Sequence, residues 1–231
     1  MSIAENIASI RAKMDAAAIA CGRDPKEILL CAATKMNDAD AVRQAIAAGV
    51  DLCGENRVQE LVAKQKENAY EGAPVHFIGH LQTNKVKQVV GKVDVIQSVD
   101  SLRLLKAINA EAAKQGIVQN ILLEINVGEE ESKSGFSVCE VLPLLEQIGD
   151  FRHIFVCGLM AIPPISQNSG DNLKFFQKIL QLSVDITAKK YDNVLVKCLS
   201  MGMSDDFEDA IACGSTMIRI GTAIFGKRNY S

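Results

Sequence analysis

Eight short apolar runs, separated by segments with helical periodicity, recur along the 231-residue chain. A run that is apolar at successive positions is typical of a strand covered on both faces, as the strands of a parallel sheet are. Eight βα units in a chain of this length predict an α/β fold, a single (β/α)8 barrel of the TIM type over residues 1–231. A doubly wound open sheet has the same periodicity and stays the structural alternative. The predicted strands are 28–33, 50–53, 75–79, 95–99, 120–127, 153–162, 194–199 and 217–220.

The helical segments have recognisable ends. Residues 1–20 have the pattern of an amphipathic surface helix, because charged residues interrupt the apolar ones, and this pattern is unlike that of a signal peptide. The barrel is therefore expected to carry an extra N-terminal helix. Asp38 is a typical helix N-cap and Gly49 a typical helix end. Further helices are predicted at 38–48, 58–69, from 84 onward, 101–114, 138–148, 172–189 and 205–212.

The charge balance limits the partners that the chain can have. The net charge is −3 and the pI is near 5.7, so no strong positive field draws the chain onto nucleic acid or an anionic membrane. No run reaches the roughly 18 apolar residues that cross a bilayer, and the expected location is cytoplasmic. The seven cysteines include no C-x-x-C pair and the three histidines are dispersed, which argues against a disulfide framework and a metal centre.

Lys35 follows the first predicted strand, and function in a (β/α)8 barrel belongs to the carboxyl ends of the strands. A lysine there must bring its ammonium to water or to an anion. In a half-buried barrel mouth its pKa falls, which favours the free amine that attacks an aldehyde. The alternative is a lysine that only extends its ammonium to solvent, and position alone favours this alternative.

Small and hydroxyl-bearing residues follow the last two predicted strands. Ser200 comes after the seventh strand, and Gly221 and Thr222 come after the eighth. The loops at these two places frequently bind phosphate in this fold, through hydroxyls and backbone N–H groups. Ser204 has the alternative role of capping the next helix, whose acidic first turn disfavours phosphate at that end. The sequence therefore predicts an anion site at Ser200, Gly221 and Thr222.

The acidic segment 128–135 resembles a phosphate-binding loop only superficially. It lacks Gly-Lys-Ser/Thr, and its three glutamates repel a nucleotide. We expect a mobile, solvated loop over the barrel mouth, a position from which it can gate the release of a ligand.

Seven motifs in this chain together resemble the pyridoxal phosphate homeostasis protein family. The resemblance covers essentially the whole chain, and the combination of motifs is specific although no single motif is. The motifs are ATK (33–35), GENRVQE (54–60), HFIGHLQTNK (76–85), SKSGF (132–136), GLMA (158–161), LSMGMSDD (199–206) and RIGTAIFG (219–226).

The resemblance implies the barrel of the alanine racemase N-terminal domain and pyridoxal 5′-phosphate as its cofactor. Lys35 is then the residue that forms an aldimine with the cofactor. Arg219 is implied to face the pyridine nitrogen, and Asn56 and Met201 to line the pocket. The resemblance also gives the predicted anion site its ligand, the cofactor phosphate, held by Ser200, Gly221 and Thr222.

The chemistry of Arg219 favours a cofactor carrier over an enzyme. A guanidinium does not readily give up a proton, so it cannot keep the pyridine nitrogen protonated, and the ring is a weaker electron sink. Racemases of the related fold take a second base, a tyrosine, from an added β domain, which we do not expect in a chain that ends soon after its eighth strand. No tyrosine is predicted at a strand end in the mouth; the three are Tyr70, Tyr191 and Tyr230.

The favoured hypothesis is a non-catalytic, monomeric protein of vitamin B6 homeostasis. It sequesters pyridoxal 5′-phosphate on Lys35 and delivers it to apoenzymes that depend on the cofactor. The alternative is a pyridoxal phosphate-dependent amino-acid racemase that uses Lys35 as one of two bases. An adaptor for nucleic acid or protein is the third hypothesis, and the acidic pI argues against it.

Overall fold

Eight parallel strands close into a barrel in the computed structural model, which describes residues 2–130, 133–165 and 168–226. Each strand pairs with the next along the chain, and the eighth pairs with the first, where Ile218 lies opposite Leu30. The predicted (β/α)8 barrel is confirmed, and the open sheet is wrong because no strand edge is left free. The strands are Leu29–Ala33 (β1), Leu52–Glu55 (β2), Val75–Phe77 (β3), Val95–Val99 (β4), Gln119–Ile125 (β5), Ile154–Ala161 (β6), Val194–Ser200 (β7) and Met217–Ile220 (β8).

Helices follow the strands with two departures from the predicted pattern. The segment after β3 is a 3-10 helix, Thr83–Gln88, where an α-helix was predicted, and a short helix that the sequence did not predict follows β8. Asp38 caps its helix as predicted, accepting a hydrogen bond from the Ala41 N–H at 2.8 Å. The α-helices are Ile3–Ala20 (α1), Ala39–Ala47 (α2), Val58–Lys66 (α3), Leu102–Gln115 (α4), Val138–Leu145 (α5), Leu173–Lys189 (α6), Phe207–Ala212 (α7) and Thr222–Phe225 (α8).

The extra N-terminal helix α1 is part of the outer ring of helices. Its buried face packs against the outer sides of β1 and β8 and against α7. Because α8 is only four residues long, it cannot cover these strands alone, and α1 takes the place of a full eighth helix. The buried face of α1 consists of Ile7, Ile10, Met14 and Ala18.

Apolar side chains fill two layers, one between the strands and the helices and one inside the barrel. The inner layer contains two groups made of strand residues, one around Cys31 and Met217 and one around Leu122 and Met160. Polar side chains also face inward near the carboxyl ends of the strands, and these side chains form the site described below. Within the described residues, no helix combines the length and the apolar character that a bilayer span requires.

Candidate functional site

Lys35 lies in a turn, two residues beyond the end of β1, and is half-buried. Its neighbour Met36 has a φ of 62°, a left-handed conformation that costs a residue with a Cβ about 1 kcal/mol or more. Hydrogen bonds hold the turn in this shape. The Met36 N–H donates to Glu60 Oε2 at 2.6 Å, and the Asn37 side chain donates to the Lys35 carbonyl at 3.0 Å. The backbone that carries Lys35 is therefore fixed.

A buried ion pair supports this turn from outside the barrel. Lys64 of α3 pairs with Glu55 at the end of β2, and both side chains are almost completely buried. Thr34 donates its hydroxyl proton to Glu55 Oε1 at 2.7 Å, and its carbonyl accepts from Lys64 Nζ at 2.8 Å. Glu60 lies 3.5 Å from the same ammonium. We call Thr34, Glu55, Glu60 and Lys64 the outer cluster.

A second buried cluster, which we call the inner cluster, lies inside the barrel. It consists of His76, Gln97, Ser200 and Arg219. Arg219 NH1 donates to both the carbonyl and the hydroxyl oxygen of Ser200 at 2.6 Å. The Ser200 hydroxyl donates to Gln97 Oε1 at 2.6 Å, and Gln97 Nε2 donates to His76 Nδ1 at 2.8 Å. Because Nδ1 accepts, His76 carries its proton on Nε2. Burial lowers the pKa of His76 to about 4, so the ring is neutral.

Arg219 keeps a positive charge inside the barrel without an adjacent anion. Its side chain is 5% exposed, and burial lowers its pKa, but a guanidinium stays protonated at neutral pH. Its hydrogen-bond acceptors are the Ser200 oxygens and the Ala161 carbonyl, which are all neutral. Among the described residues it has no ion-pair partner, since Glu124 and Asp206 act on it only at longer range. A buried cation of this kind favours an anionic or electron-rich ligand.

The segments that follow β7 and β8 lie beside the Lys35 turn. Ser200 ends β7, Gly221 and the exposed Thr222 follow β8, and β8 pairs with both β7 and β1. A Cβ on Gly221 would lie 3.4 Å from the Cβ of Ala33, the last residue of β1. Three adjacent strands, β7, β8 and β1, thus bring these residues to one side of the barrel mouth: Ser200 and Arg219 lie near strand ends, and Gly221, Thr222 and Lys35 lie just beyond them.

Gly202 is required by the turn after β7. Its φ is +95°, and a Cβ at this position would lie 2.6 Å from the Cβ of Ala210 in α7. Its carbonyl accepts a hydrogen bond from the Arg219 N–H at 3.0 Å. The neighbouring Met201 is fully buried, and its side chain packs in the apolar layer between strands and helices. A contact of Met201 with a ligand stays a prediction, and the backbone is the part of this residue nearest to Ser200.

A cavity of about 360 Å³ opens on the other half of the mouth, and we call it the mouth cavity. Its volume is in the range of small-molecule sites. Of the predicted site residues, Asn56 lines this cavity, and Asn56 Oδ1 is buried without a hydrogen-bond partner among the described residues. Its polar lining consists of Asn56, His80, Glu124, Asn126, Lys133 and Ser134.

Glu124 is a titratable group in the wall of the mouth cavity. Burial raises the pKa of Glu124 to about 7, with a further contribution from the negative charge of Asp100, and the charge of Arg219 opposes the rise. A carboxyl group with this pKa is partly protonated at neutral pH and is suited to proton transfer. His80 lies nearby, with its Nδ1 3.1 Å from Asp100 Oδ2.

Position at the ends of strands predicted some residues of the candidate site. It did not predict His76, Gln97 and Glu124. Each of these is a polar residue inside an otherwise apolar run, and this signal could have marked them as facing the barrel interior. The alternative role of Ser204 is wrong, because α7 begins at Phe207 with Asp206 as its N-cap. The predicted mobile loop falls partly outside the described residues, at positions 131–132; around this gap the Asn126 side chain donates to the Glu130 carbonyl at 2.9 Å.

The fold and the residues at the barrel mouth are those of a known class of barrel protein. Residues 2–229 match the family described as alanine racemase, N-terminal domain. The crystal structure of an unknown protein from Bifidobacterium adolescentis superimposes with a TM-score of 0.91 at 36% identity, covering 96% of this chain and 94% of that one.

Relatives that match this chain over almost their full length identify the family within this class. A pyridoxal phosphate homeostasis protein from Escherichia coli strain K12 is 41% identical over 232 residues, covering 99% of this chain and 98% of the relative. The structure of PipY from Synechococcus elongatus with PLP bound has a TM-score of 0.84 at 31% identity, covering 97% of this chain and 100% of that one. The chain therefore belongs to the pyridoxal phosphate homeostasis protein family.

Proposed function

We propose that this protein binds pyridoxal 5′-phosphate at the barrel mouth and acts in its homeostasis, sequestering the cofactor and delivering it to apoenzymes. The observation that supports this most is the buried guanidinium of Arg219, whose hydrogen-bond acceptors among the described residues are all neutral and which lies one strand from the Lys35 turn. The PLP bound in the PipY structure, and the role for which the Escherichia coli relative is named, support this proposal.

The residues present fit this cofactor by their chemistry. The mouth offers an amine at Lys35, a cation at Arg219, and a hydroxyl and backbone N–H groups after β7 and β8. Asn56 Oδ1 is an acceptor that needs an O–H or N–H donor. The cofactor supplies an aldehyde that condenses with a lysine amine, with loss of water, and we propose that Lys35 is that lysine. Ser200, Gly221 and Thr222 would hold the phosphate, and Arg219 would face the pyridine nitrogen.

Two features of the site support a carrier role. Arg219 has no proton to give to the pyridine nitrogen, which limits the ring as an electron sink. Tyr70 and Tyr191 are both located outside the mouth, in and against the apolar layer between strands and helices, and Tyr230 lies outside the described residues. We therefore propose that turnover of amino acids is slow compared with the roughly 10 s⁻¹ of an average enzyme.

Glu124 is the observation that favours the second candidate, an amino-acid racemase. It lines the mouth cavity and has a pKa of about 7, so it can hold or release a proton at neutral pH. In this alternative, Lys35 and Glu124 are the two bases. Chiral chromatography of alanine and serine after incubation with the loaded protein separates the candidates. Turnover that is lost in Glu124→Gln would favour the racemase.

The visible absorbance of purified protein tests cofactor binding itself. With added pyridoxal 5′-phosphate, we expect an absorbance band of a Schiff base. Borohydride should bleach this band and attach the cofactor permanently to a peptide that contains Lys35. The band should be absent in Lys35→Ala. Lys133→Ala is the matched control, since Lys133 is a lysine that lines the mouth cavity and its loss should leave the band in place. A band that persists in Lys35→Ala, or no band in the wild type, would contradict the proposal.

A further inference from the structure

The hydroxyl proton of Ser200 is already in use within the inner cluster. A serine has one proton to donate, and Ser200 donates it to Gln97 Oε1 at 2.6 Å. Its oxygen meanwhile accepts from Arg219 NH1 at 2.6 Å. Ionised phosphate oxygens only accept hydrogen bonds, so Ser200 in this arrangement has no proton for a phosphate. Binding of phosphate by Ser200 therefore requires a change among its neighbours.

One change satisfies every member of the cluster. If the Gln97 amide turns by 180°, its nitrogen faces Ser200 and its oxygen faces His76, with little change in shape. Ser200 then accepts from both Arg219 and Gln97, and its proton is free for a phosphate oxygen. His76 must now donate from Nδ1, so its proton moves from Nε2 to Nδ1. No charge is created, because the imidazole stays neutral throughout.

We propose that Gln97 and His76 are positioning residues for phosphate, and that the hydrogen bonds between His76 and Ser200 reverse direction when Ser200 donates to a phosphate oxygen. This inference rests on the proposed function. In the ligand-free protein, as in the structure, Arg219 donates to Ser200 and Ser200 donates to Gln97. Gln97 in turn donates to His76.

Met217 biases the ligand-free protein toward this order. Gln97 Nε2 lies 3.2 Å from Met217 Sδ, a weak acceptor. The turned amide would place Oε1 against the same sulfur, so that two acceptors meet without a proton between them. The ligand supplies the compensating hydrogen bond, because a bond from a hydroxyl to an ionised phosphate is stronger than one to a neutral amide.

The tautomer of His76 reports the direction of the cluster without any activity measurement. The chain has three histidines, so two-bond ¹H–¹⁵N spectra of histidine-labelled protein can be assigned with His80→Gln and His153→Gln. In the free protein we expect the proton of His76 on Nε2. At saturation with pyridoxal 5′-phosphate we expect it on Nδ1. In Ser200→Ala, the same ligand should leave the tautomer unchanged.

The outcomes separate this inference from the proposed function. If the absorbance of the ligand shows that it is bound, and His76 still carries its proton on Nε2, the inference is wrong and the proposed function stands. Pyridoxal, which lacks the phosphate, should leave the tautomer unchanged, and a shift with pyridoxal as well would also overturn the inference. If pyridoxal 5′-phosphate does not bind, the proposed function fails and the inference fails with it.

Discussion

The outer and inner clusters each surround one buried cation, but they balance its charge differently. Lys64 in the outer cluster has the carboxylate of Glu55 against it and that of Glu60 at 3.5 Å. Arg219 in the inner cluster has two carbonyl groups and a hydroxyl. The outer cluster is therefore electrostatically complete within the protein. In the inner cluster, no carboxylate of the described residues lies within ion-pair distance of the guanidinium.

This difference indicates a division of roles between the two clusters. The outer cluster holds the turn that carries Lys35, so its contribution is to folding and to the position of the amine. The inner cluster presents a charge to the barrel mouth, so its contribution is to binding. Substitutions in the two clusters should accordingly separate stability from affinity.

The largest effect is expected from Lys64→Met, which leaves Glu55 buried without its cation. Breaking a buried pair in this way costs about 3–5 kcal/mol of unfolding free energy, which urea denaturation of the free protein measures. Lys66→Met is the matched control, because Lys66 is exposed on the same helix and should change stability by about 0.5 kcal/mol or less. The double variant Glu55→Gln/Lys64→Met should recover much of the loss, and a single-variant loss below about 1 kcal/mol would contradict the comparison.

Arg219→Met should have the opposite effect, a small loss of stability and a large loss of affinity for the cofactor. It removes a buried charge that has no carboxylate at ion-pair distance among the described residues, so it should destabilise the free protein less than Lys64→Met does. Affinity for pyridoxal 5′-phosphate should fall roughly 100-fold, the equivalent of a lost charge-assisted contact, as measured by equilibrium dialysis. Arg219→Lys keeps the charge and should lose less. Equal losses of affinity in Arg219→Met and Lys64→Met would remove the distinction between the clusters.

Glu124→Gln tests how the free energy of unfolding depends on pH through a residue of the mouth cavity. The pKa of Glu124 is raised from 4.5 to about 7 in the folded protein, so the folded state binds the proton more tightly than the unfolded state between these values. Its contribution to stability is present below pH 4.5 and is lost as the pH rises to 7. The loss should be about 2 kcal/mol, because water in the mouth screens part of the shift.

The variant should lose this pH dependence, as urea denaturation at several pH values between 4.5 and 8 would show. His76 has a lowered pKa and gives the opposite slope between pH 6.5 and 4, so the difference between wild type and variant isolates Glu124. An identical pH profile in the two proteins would mean that Glu124 ionises normally.

Apolar runs were sufficient to predict the barrel and the exact bounds of β4 and β8. The second strand was displaced, from 50–53 to Leu52–Glu55, because an acidic residue normally indicates that a strand has ended. Glu55 can lie within a buried strand because Lys64, on the following helix, neutralises it. A pattern of apolar residues contains no information about such a pair.

The sequence predicted candidate residues from their order along a strand and missed the contacts that are made across the barrel. Lys35 and Ser200 could be found because each stands at the end of an apolar run. A polar residue inside an apolar run could mark Gln97 as facing inward, but its hydrogen bond with Ser200, 103 positions away in sequence, could not be predicted. Distances of this kind are set by closure of the barrel, and a single sequence does not reveal them.

The place of α1 in the helix ring has a consequence for synthesis of the chain on the ribosome. Asn6 of α1 donates a hydrogen bond to the Ile224 carbonyl of α8 at 2.8 Å, across 218 positions of sequence. The apolar face of α1 therefore cannot pack against β8 until the chain has been synthesised through residue 220. Contacts so distant in sequence slow folding and prolong the exposure of apolar surface. Helix α1 thus leaves the ribosome well before β8 and reaches its final place late, and in the meantime it is a surface that chaperones can bind.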